Sequence, residues 1–163
     1  QEAKAVAFPA RSRYALAVGA STANGCLAYY SDFGRGLDLV APGGGTDTFD
    51  RDLSSGSSDR TNCSVQNAGP TIYQMTFTSS VRKFWLPSNY QGTSMASPHV
   101  SATAALVVAS GVIGADPTPA ALQAHLEATA RDLGAPGKDL RYGAGLVNAA
   151  AAVGAPATSR TNR

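Results

Sequence analysis

Short apolar runs broken by turn residues fill the first half of the chain, and the second half changes period. Residues 14–20 (YALAVGA) form an apolar run ending in Gly19-Ala20, which predicts a buried strand. Asn24-Gly25 predicts a turn, 27–31 a second strand, and 37–40 a third, stopped by Pro42 and Gly43-Gly44-Gly45. From 46 to 67 the chain is Ser, Asp, Thr and Asn with almost nothing apolar, which predicts a long exposed excursion. Residues 71–78 alternate Ile72, Gln74 and Thr76 against Tyr73, Met75 and Phe77, the pattern of a half-buried strand. Residues 81–86 pair with it as a hairpin before Pro87. Tyr73, Phe77, Phe84 and Trp85 are too many aromatics for a solvated loop, so this pair is expected to pack on the body near Ser94.

The stretch 94–110 is small and apolar on all sides and stops at Gly111, which predicts a central core helix. Thr118-Pro119 reads as an N-cap followed by proline at the first helical position. Leu122 and Leu126 then repeat at i, i+4, so 119–130 is an amphipathic helix. A last short helix is expected over 146–153, and 155–163 reads as a polar, flexible tail. Strands followed by helices give an α/β layering in one domain over 1–154, without internal repeats.

The length of 163 residues suits one domain or a large piece of one. Charged residues make up 15%, below the roughly 25% of ordinary soluble domains, while 17 Gly and 9 Pro demand many turns. No apolar stretch approaches the roughly 20 residues that span a bilayer, so no membrane partner is expected. Thirteen basic against eleven acidic residues leave a net charge of +2, and Arg11, Arg13, Arg82 and Lys83 form no patch. Nucleic acid is therefore not an expected partner. The first residues show no basic-then-apolar export signal. Cys26 and Cys63 exclude a four-cysteine zinc site. Both sit among polar loop residues, which favours one disulfide over two buried free thiols.

The chemistry concentrates in Gln91-Gly92-Thr93-Ser94-Met95-Ala96-Ser97-Pro98-His99-Val100. Gly92 removes side-chain bulk where a substrate backbone would approach. Ser94 falls in the first turn of the long helix, where unpaired N–H groups and the positive dipole end favour developing negative charge. A nucleophile that forms a tetrahedral oxyanion needs that setting. A bare Gly-x-Ser would more often be a helix cap. Nine ordered residues leading into a buried apolar helix are much more specific.

The segment GTSMASPHV resembles the nucleophile motif of the subtilisin-like serine proteases, the subtilases, with Ser94 at the nucleophile position. Phe8-Pro9-Ala10 with 15–20 is similar to the family's Tyr-Pro-Ala loop and following strand. Tyr30-Ser31-Asp32-Phe33-Gly34 and 37–43 resemble its Phe-Ser and Ala-Pro-Gly segments, and 142–149 its closing Gly-x-Gly helix start. The resemblance spans most of 7–153, apart from a variable insert over about 44–90. It implies a mainly parallel, doubly wound sheet with the long helix at its centre. It also implies a secreted endopeptidase acting on peptide or protein substrates through an Asp-His-Ser triad, with no cofactor required for chemistry. Gly92 and Thr93 would line the approach to the primary specificity pocket, and Thr93 would back up the oxyanion hole.

The departure from the family lies in what does not accompany Ser94. No histidine precedes it, and the Asp and His segments and the oxyanion Asn have no counterparts. The chain thus resembles the C-terminal part of a catalytic domain and implies a complementary N-terminal part as partner. His99 lies five residues after Ser94, about 140° around and about 7.5 Å along the helix, too far to act as its base. It reads as a buried or partly buried helix histidine, and His125 as a solvated or packing residue. Asp32 and Asp38 flank strand ends, and Asp38 matches a position near a weak cation site of the family. Asp47, Asp50, Asp52 and Asp59 crowd the insert without EF-hand spacing, so a solvated polar loop is favoured over a calcium loop. A structural calcium stays open. The rival from another class is a subtilase-derived fragment or pseudoenzyme that binds a partner without catalysis.

Overall fold

The computed structural model describes residues 5–48, 63–64, 66–77 and 79–155. The middle of the insert, with Asp50, Asp52 and Asp59, and the tail from 156 onward lie outside the described residues. Two parallel strands hold the fold together. β1 (Val18–Ser21) and β2 (Leu39–Pro42) pair from Val18 opposite Leu39 to Ser21 opposite Pro42. The other edge of β2 takes residues 145–147: the Val40 N–H donates to Gly145 and the Val147 N–H to Val40, each at 2.9 Å. Pro42, which has no N–H to donate, is the last residue of the strand. The run 27–31 is not a strand. Leu27 and Ala28 make single bridges to Ser21 and Asp47, and the Ser31 N–H turns back to the Ala28 carbonyl at 2.9 Å.

Both faces of the strand pair are covered, as parallel strands require. Leu39 and Ala41 pack with Ala20, Ala96, Val100, Val107 and Leu126, while Val40 points into a second cluster with Leu27, Leu133 and Tyr142. The long helix α1 (Thr93–Ser110) ends on Gly111 in the left-handed region (φ 67°), as the sequence predicts. It is not buried all round. Only Ala96, Val100, Thr103 and Val107 are buried, a single stripe facing the strands. Ala102, Ala105 and Ala109 on the opposite side are exposed, and Leu106 keeps 52% of its surface. Among the described residues nothing covers the remaining apolar surface of this helix.

The helix α2 (Pro119–Thr129) starts on Thr118, whose Oγ1 accepts from the Ala121 N–H at 3.2 Å, and it buries Leu126. The short α3 (Ala149–Ala152) starts on Asn148, whose Oδ1 accepts from the Ala151 N–H at 3.1 Å. His125 Nε2 lies 2.7 Å from the Ala152 carbonyl and ties α2 to α3, a packing role.

The hairpin forms but does not pack as the sequence predicts. β3 (Thr76–Phe77) and β4 (Phe84–Trp85) pair antiparallel, with the Phe77 and Phe84 rings 4.9 Å apart. The Ile72 N–H donates to the Tyr90 carbonyl at 2.7 Å, so the ribbon is rooted just before the nucleophile motif. Tyr73, Met75, Phe77, Phe84 and Trp85 are nevertheless all exposed. The alternation correctly sets one apolar face, but among the described residues no layer lies behind it.

The insert is less uniformly exposed than its composition predicts. Asp47 is fully buried and accepts from Thr22 Oγ1 (2.5 Å), Asn24 Nδ2 (3.1 Å) and Asn67 Nδ2 (3.1 Å). A buried carboxylate persists only when donors surround it. Cys26 and Cys63 are bonded, with Cα atoms 5.7 Å apart and a sequence separation of 37. The bridge closes the insert against the Asn24-Gly25 turn. Replacing both cysteines by serine is expected to lower stability by about 3–4 kcal/mol, the loop-closure value for this span. Urea denaturation of the oxidised and serine forms measures it. A difference below about 1 kcal/mol would show that the Asp47 network alone holds the insert.

Candidate functional site

Ser94 is the second residue of α1 and is exposed. The helix opens on Gly92 at φ 149° and ψ 165°, a backbone region that residues with a Cβ rarely enter. No side chain caps this end, and the Met95 and Ala96 N–H groups donate to the Gly92 carbonyl at 3.0 and 3.3 Å. Among the described residues the N–H groups of Thr93 and Ser94 have no acceptor. Two free donors therefore stand beside an exposed hydroxyl at the positive end of an 18-residue helix. Such an arrangement can hold an oxyanion formed on Ser94 Oγ. Gly92, Thr93 and Ser94 are thus brought together as the sequence places them.

The turn rests on the end of β2. The Gly92 N–H donates to the Gly43 carbonyl at 3.0 Å. A Cβ on Gly43 would stand 2.6 Å from Ala20 Cβ, 2.7 Å from Tyr30 Oη and 2.9 Å from the Gly92 carbonyl oxygen. Tyr30 Oη donates to the Gly44 carbonyl at 2.7 Å, and a Cβ on Gly45 would collide with the Gln91 carboxamide. The sequence singles out Tyr30 and Gly43 only as parts of family-like segments, and Gln91 only as the start of the motif. Their contacts had no local signal, because residues 48 positions apart meet only after β2 and α1 have packed.

No general base stands beside Ser94 among the described residues. His99 Nδ1 lies 2.8 Å from the Met95 carbonyl, one turn back on its own helix. His99 is exposed, against the expectation of a buried histidine, because it lies on the uncovered side of α1.

The aspartates are engaged by the protein itself. Asp32 is exposed, and Asp47 is enclosed by its three donor side chains. Asp38 accepts from the Ala17 N–H at 2.9 Å, from Gln123 Nε2 at 3.3 Å and from Lys138 Nζ at 3.1 Å. A metal cation does not fit there, since an ammonium group already answers the carboxylate. Among the described residues no group of three or more His, Cys, Asp or Glu side chains could hold a metal ion.

Lys138 also reaches Glu127, at 3.2 Å. Burial pulls its pKa down, but hydrogen bonds and charge from Asp38 and Glu127 outweigh burial and hold it above the ordinary lysine value. A raised lysine stabilises fully below its unfolded pKa of about 10.4, and that contribution disappears as pH climbs through the raised value. Its side chain is 46% exposed, so solvent screens the pair and Lys138→Met is expected to cost at most about 1 kcal/mol. Urea midpoints at pH 8 and pH 11 test this: the difference between wild type and variant should shrink at the higher pH.

Comparison with known proteins follows the same lines. The chain is 37% identical over 147 residues to an extracellular protease of Xanthomonas campestris, covering 90% of this chain and 20% of that protein. It is 35% identical over 151 residues to Subtilisin Savinase of Lederbergia lenta, covering 92% of this chain and 42% of the relative. Among solved structures it superposes on a lanthipeptide protease with a TM-score of 0.62 and 27% identity, covering 90% of this chain and 43% of that one. A protease of Pseudoalteromonas arctica gives 0.59 and 31%, covering 90% and 37%. The chain spans less than half the length of each of these relatives. The sequence model of the subtilase family matches residues 1–145, and the chain belongs to that family.

Proposed function

We propose that residues 1–154 are the C-terminal portion of a serine endopeptidase catalytic domain in which Ser94 is the nucleophile. Ser94 Oγ adds to the scissile carbonyl carbon of a peptide substrate, and its proton passes to a histidine of a complementary N-terminal segment. The oxyanion accepts from the Ser94 N–H and from an asparagine of that segment. Collapse of the intermediate expels the amine, which takes the proton from the histidine, and water then hydrolyses the acyl-serine. Gly92 and Thr93 line the approach to the primary specificity pocket, with Thr93 supporting the oxyanion hole. Chemistry of this kind calls for no cofactor.

The observation that supports the reading most is the exposed Ser94 beside two unengaged N–H groups, on a helix whose far side is bare. The uncovered apolar face of α1 argues for the complementary segment as its cover, since Leu106 and its neighbours would gain from burial. The Cys26–Cys63 bond supports a secreted protein, as does the extracellular relative. The test mixes the chain with the N-terminal half of a related catalytic domain and adds a serine-directed phosphonate. The reading expects a stable one-to-one complex by native mass spectrometry and a phosphonate adduct on Ser94. A stable complex with no adduct would favour the rival reading, a binding module that has lost catalysis.

A further inference from the structure

We propose that Tyr30 is a positioning residue for the nucleophile turn, its hydroxyl locking the root of the insert to the Gly92 turn and so fixing where Ser94 stands. The inference rests on the reading of Ser94 as nucleophile. Three groups meet over the small gap left by Gly43: the Tyr30 hydroxyl, the Gly92 carbonyl and the Ala20 methyl. Tyr30 Oη donates to the Gly44 carbonyl at 2.7 Å, a short and well-formed bond. Gly44 and Gly45 in turn belong to the root of the insert, where the Gly45 N–H donates to Pro70 at 3.2 Å and the Gly69 N–H to Gly45 at 3.0 Å. The adjacent Tyr29 receives Gln91 Nε2 at 3.4 Å. The two tyrosine rings pack edge to face, with centroids 5.3 Å apart at 79°.

Tyr29 thus meets Gln91, and across Gly43 the Tyr30 hydroxyl borders the same gap as the Gly92 carbonyl, immediately before Thr93 and Ser94. The turn needs such support. Its glycine has no Cβ to restrict it, and no side chain caps the helix. Burial pushes the Tyr30 phenol above its ordinary pKa, and the Gly92 backbone hydrogen bond works in the opposite direction. The hydroxyl accordingly remains a donor at neutral and mildly alkaline pH. Phenylalanine would keep the ring contact with Tyr29 and the filled volume but could not bond Gly44.

The test is Tyr30→Phe, with Tyr29→Phe as a second variant, in the chain assembled with its complementary segment. Tyr30→Phe is expected to lower kcat about tenfold with KM within about twofold, because displacement of a reacting group acts on the chemical step. Tyr29→Phe, which loses only the longer bond to Gln91, is expected to lower it less. In the chain itself, amide hydrogen exchange at Gly92, whose N–H is held by the Gly43 carbonyl, is expected to quicken at least about fivefold in Tyr30→Phe, while the core stripe of α1 is unaffected. Unchanged kcat in the variant would overturn the proposal, as would an equal loss accompanied by faster exchange throughout the core. An inactive wild-type assembly would count against the nucleophile reading instead. The exchange measurement then still decides the tether, and unaltered exchange at Gly92 would overturn it.

Discussion

Residues 1–163 alone are expected to hydrolyse peptides at the background rate, and assembly with the complementary segment to raise that rate by at least about four orders of magnitude. A positioned general base contributes about 100- to 10,000-fold. An oxyanion-hole side-chain donor contributes about 100- to 1,000-fold more, the size such a donor has in subtilisins. Neither histidine of the chain is poised as that base: His99 is turned to the Met95 carbonyl and His125 to the Ala152 carbonyl. Ser94→Ala should return the assembled enzyme to background, and His99→Ala should leave its rate within about twofold because that ring touches no reacting atom. Active-site titration and initial rates on the chain, the assembly and both variants give the comparison. Rapid phosphonate labelling of Ser94 in the isolated chain would show that its base comes from elsewhere in these residues.

Local signals and tertiary signals were unequally visible in the sequence. The bounds of α1, the Thr118 cap of α2 and the Asn24-Gly25 turn were legible because each depends on backbone preferences of a few adjacent residues. The disulfide was legible from cysteine placement and number. The run 27–31 misled because Leu27 and Ala28 are buried by packing around a turn, which periodicity cannot distinguish from a ladder. Asp47 misled for the opposite reason. Its burial depends on Thr22, Asn24 and Asn67, which composition cannot assemble.

The apolar surface of α1 predicts burial on all sides, but among the described residues only one stripe of it is covered. Under the proposed function, the bare side of α1 is the side that the complementary segment would cover. The hairpin likewise has an apolar face set by alternation, and among the described residues no layer lies behind it. Candidate chemistry was legible as Ser94 with Gly92 and Thr93. The cradle beneath them was not, since Tyr30, Gly43 and Gln91 meet only through tertiary contact.

Gly43→Ala is expected to be the most damaging small substitution in that cradle, lowering stability by about 3 kcal/mol and the activity of the assembled enzyme by at least about 100-fold. The added methyl would meet Ala20 Cβ at 2.6 Å, Tyr30 Oη at 2.7 Å and the Gly92 carbonyl oxygen at 2.9 Å. None of the three can move cheaply. Ala20 lies in the paired, fully buried part of β1, and Tyr30 is held by its bond to Gly44. The Gly92 carbonyl receives the first N–H bonds of α1. Overpacking of a rigid site costs about 1–3 kcal/mol, and backbone neighbours place this one at the upper end. The turn is the part with fewest restraints, so the strain should be relieved there. A displacement of about 1 Å at a reacting group can cost about 100-fold in rate. Gly92→Ala is the control that separates crowding from backbone strain: its Cβ would have no neighbour nearer than 3.7 Å, yet φ at 149° disfavours any side chain. It should cost about 1–3 kcal/mol through conformation alone. Thermal midpoints and kcat/KM of the two variants decide the matter. A Gly43→Ala enzyme with normal activity would show that the nucleophile turn does not rest on the end of β2.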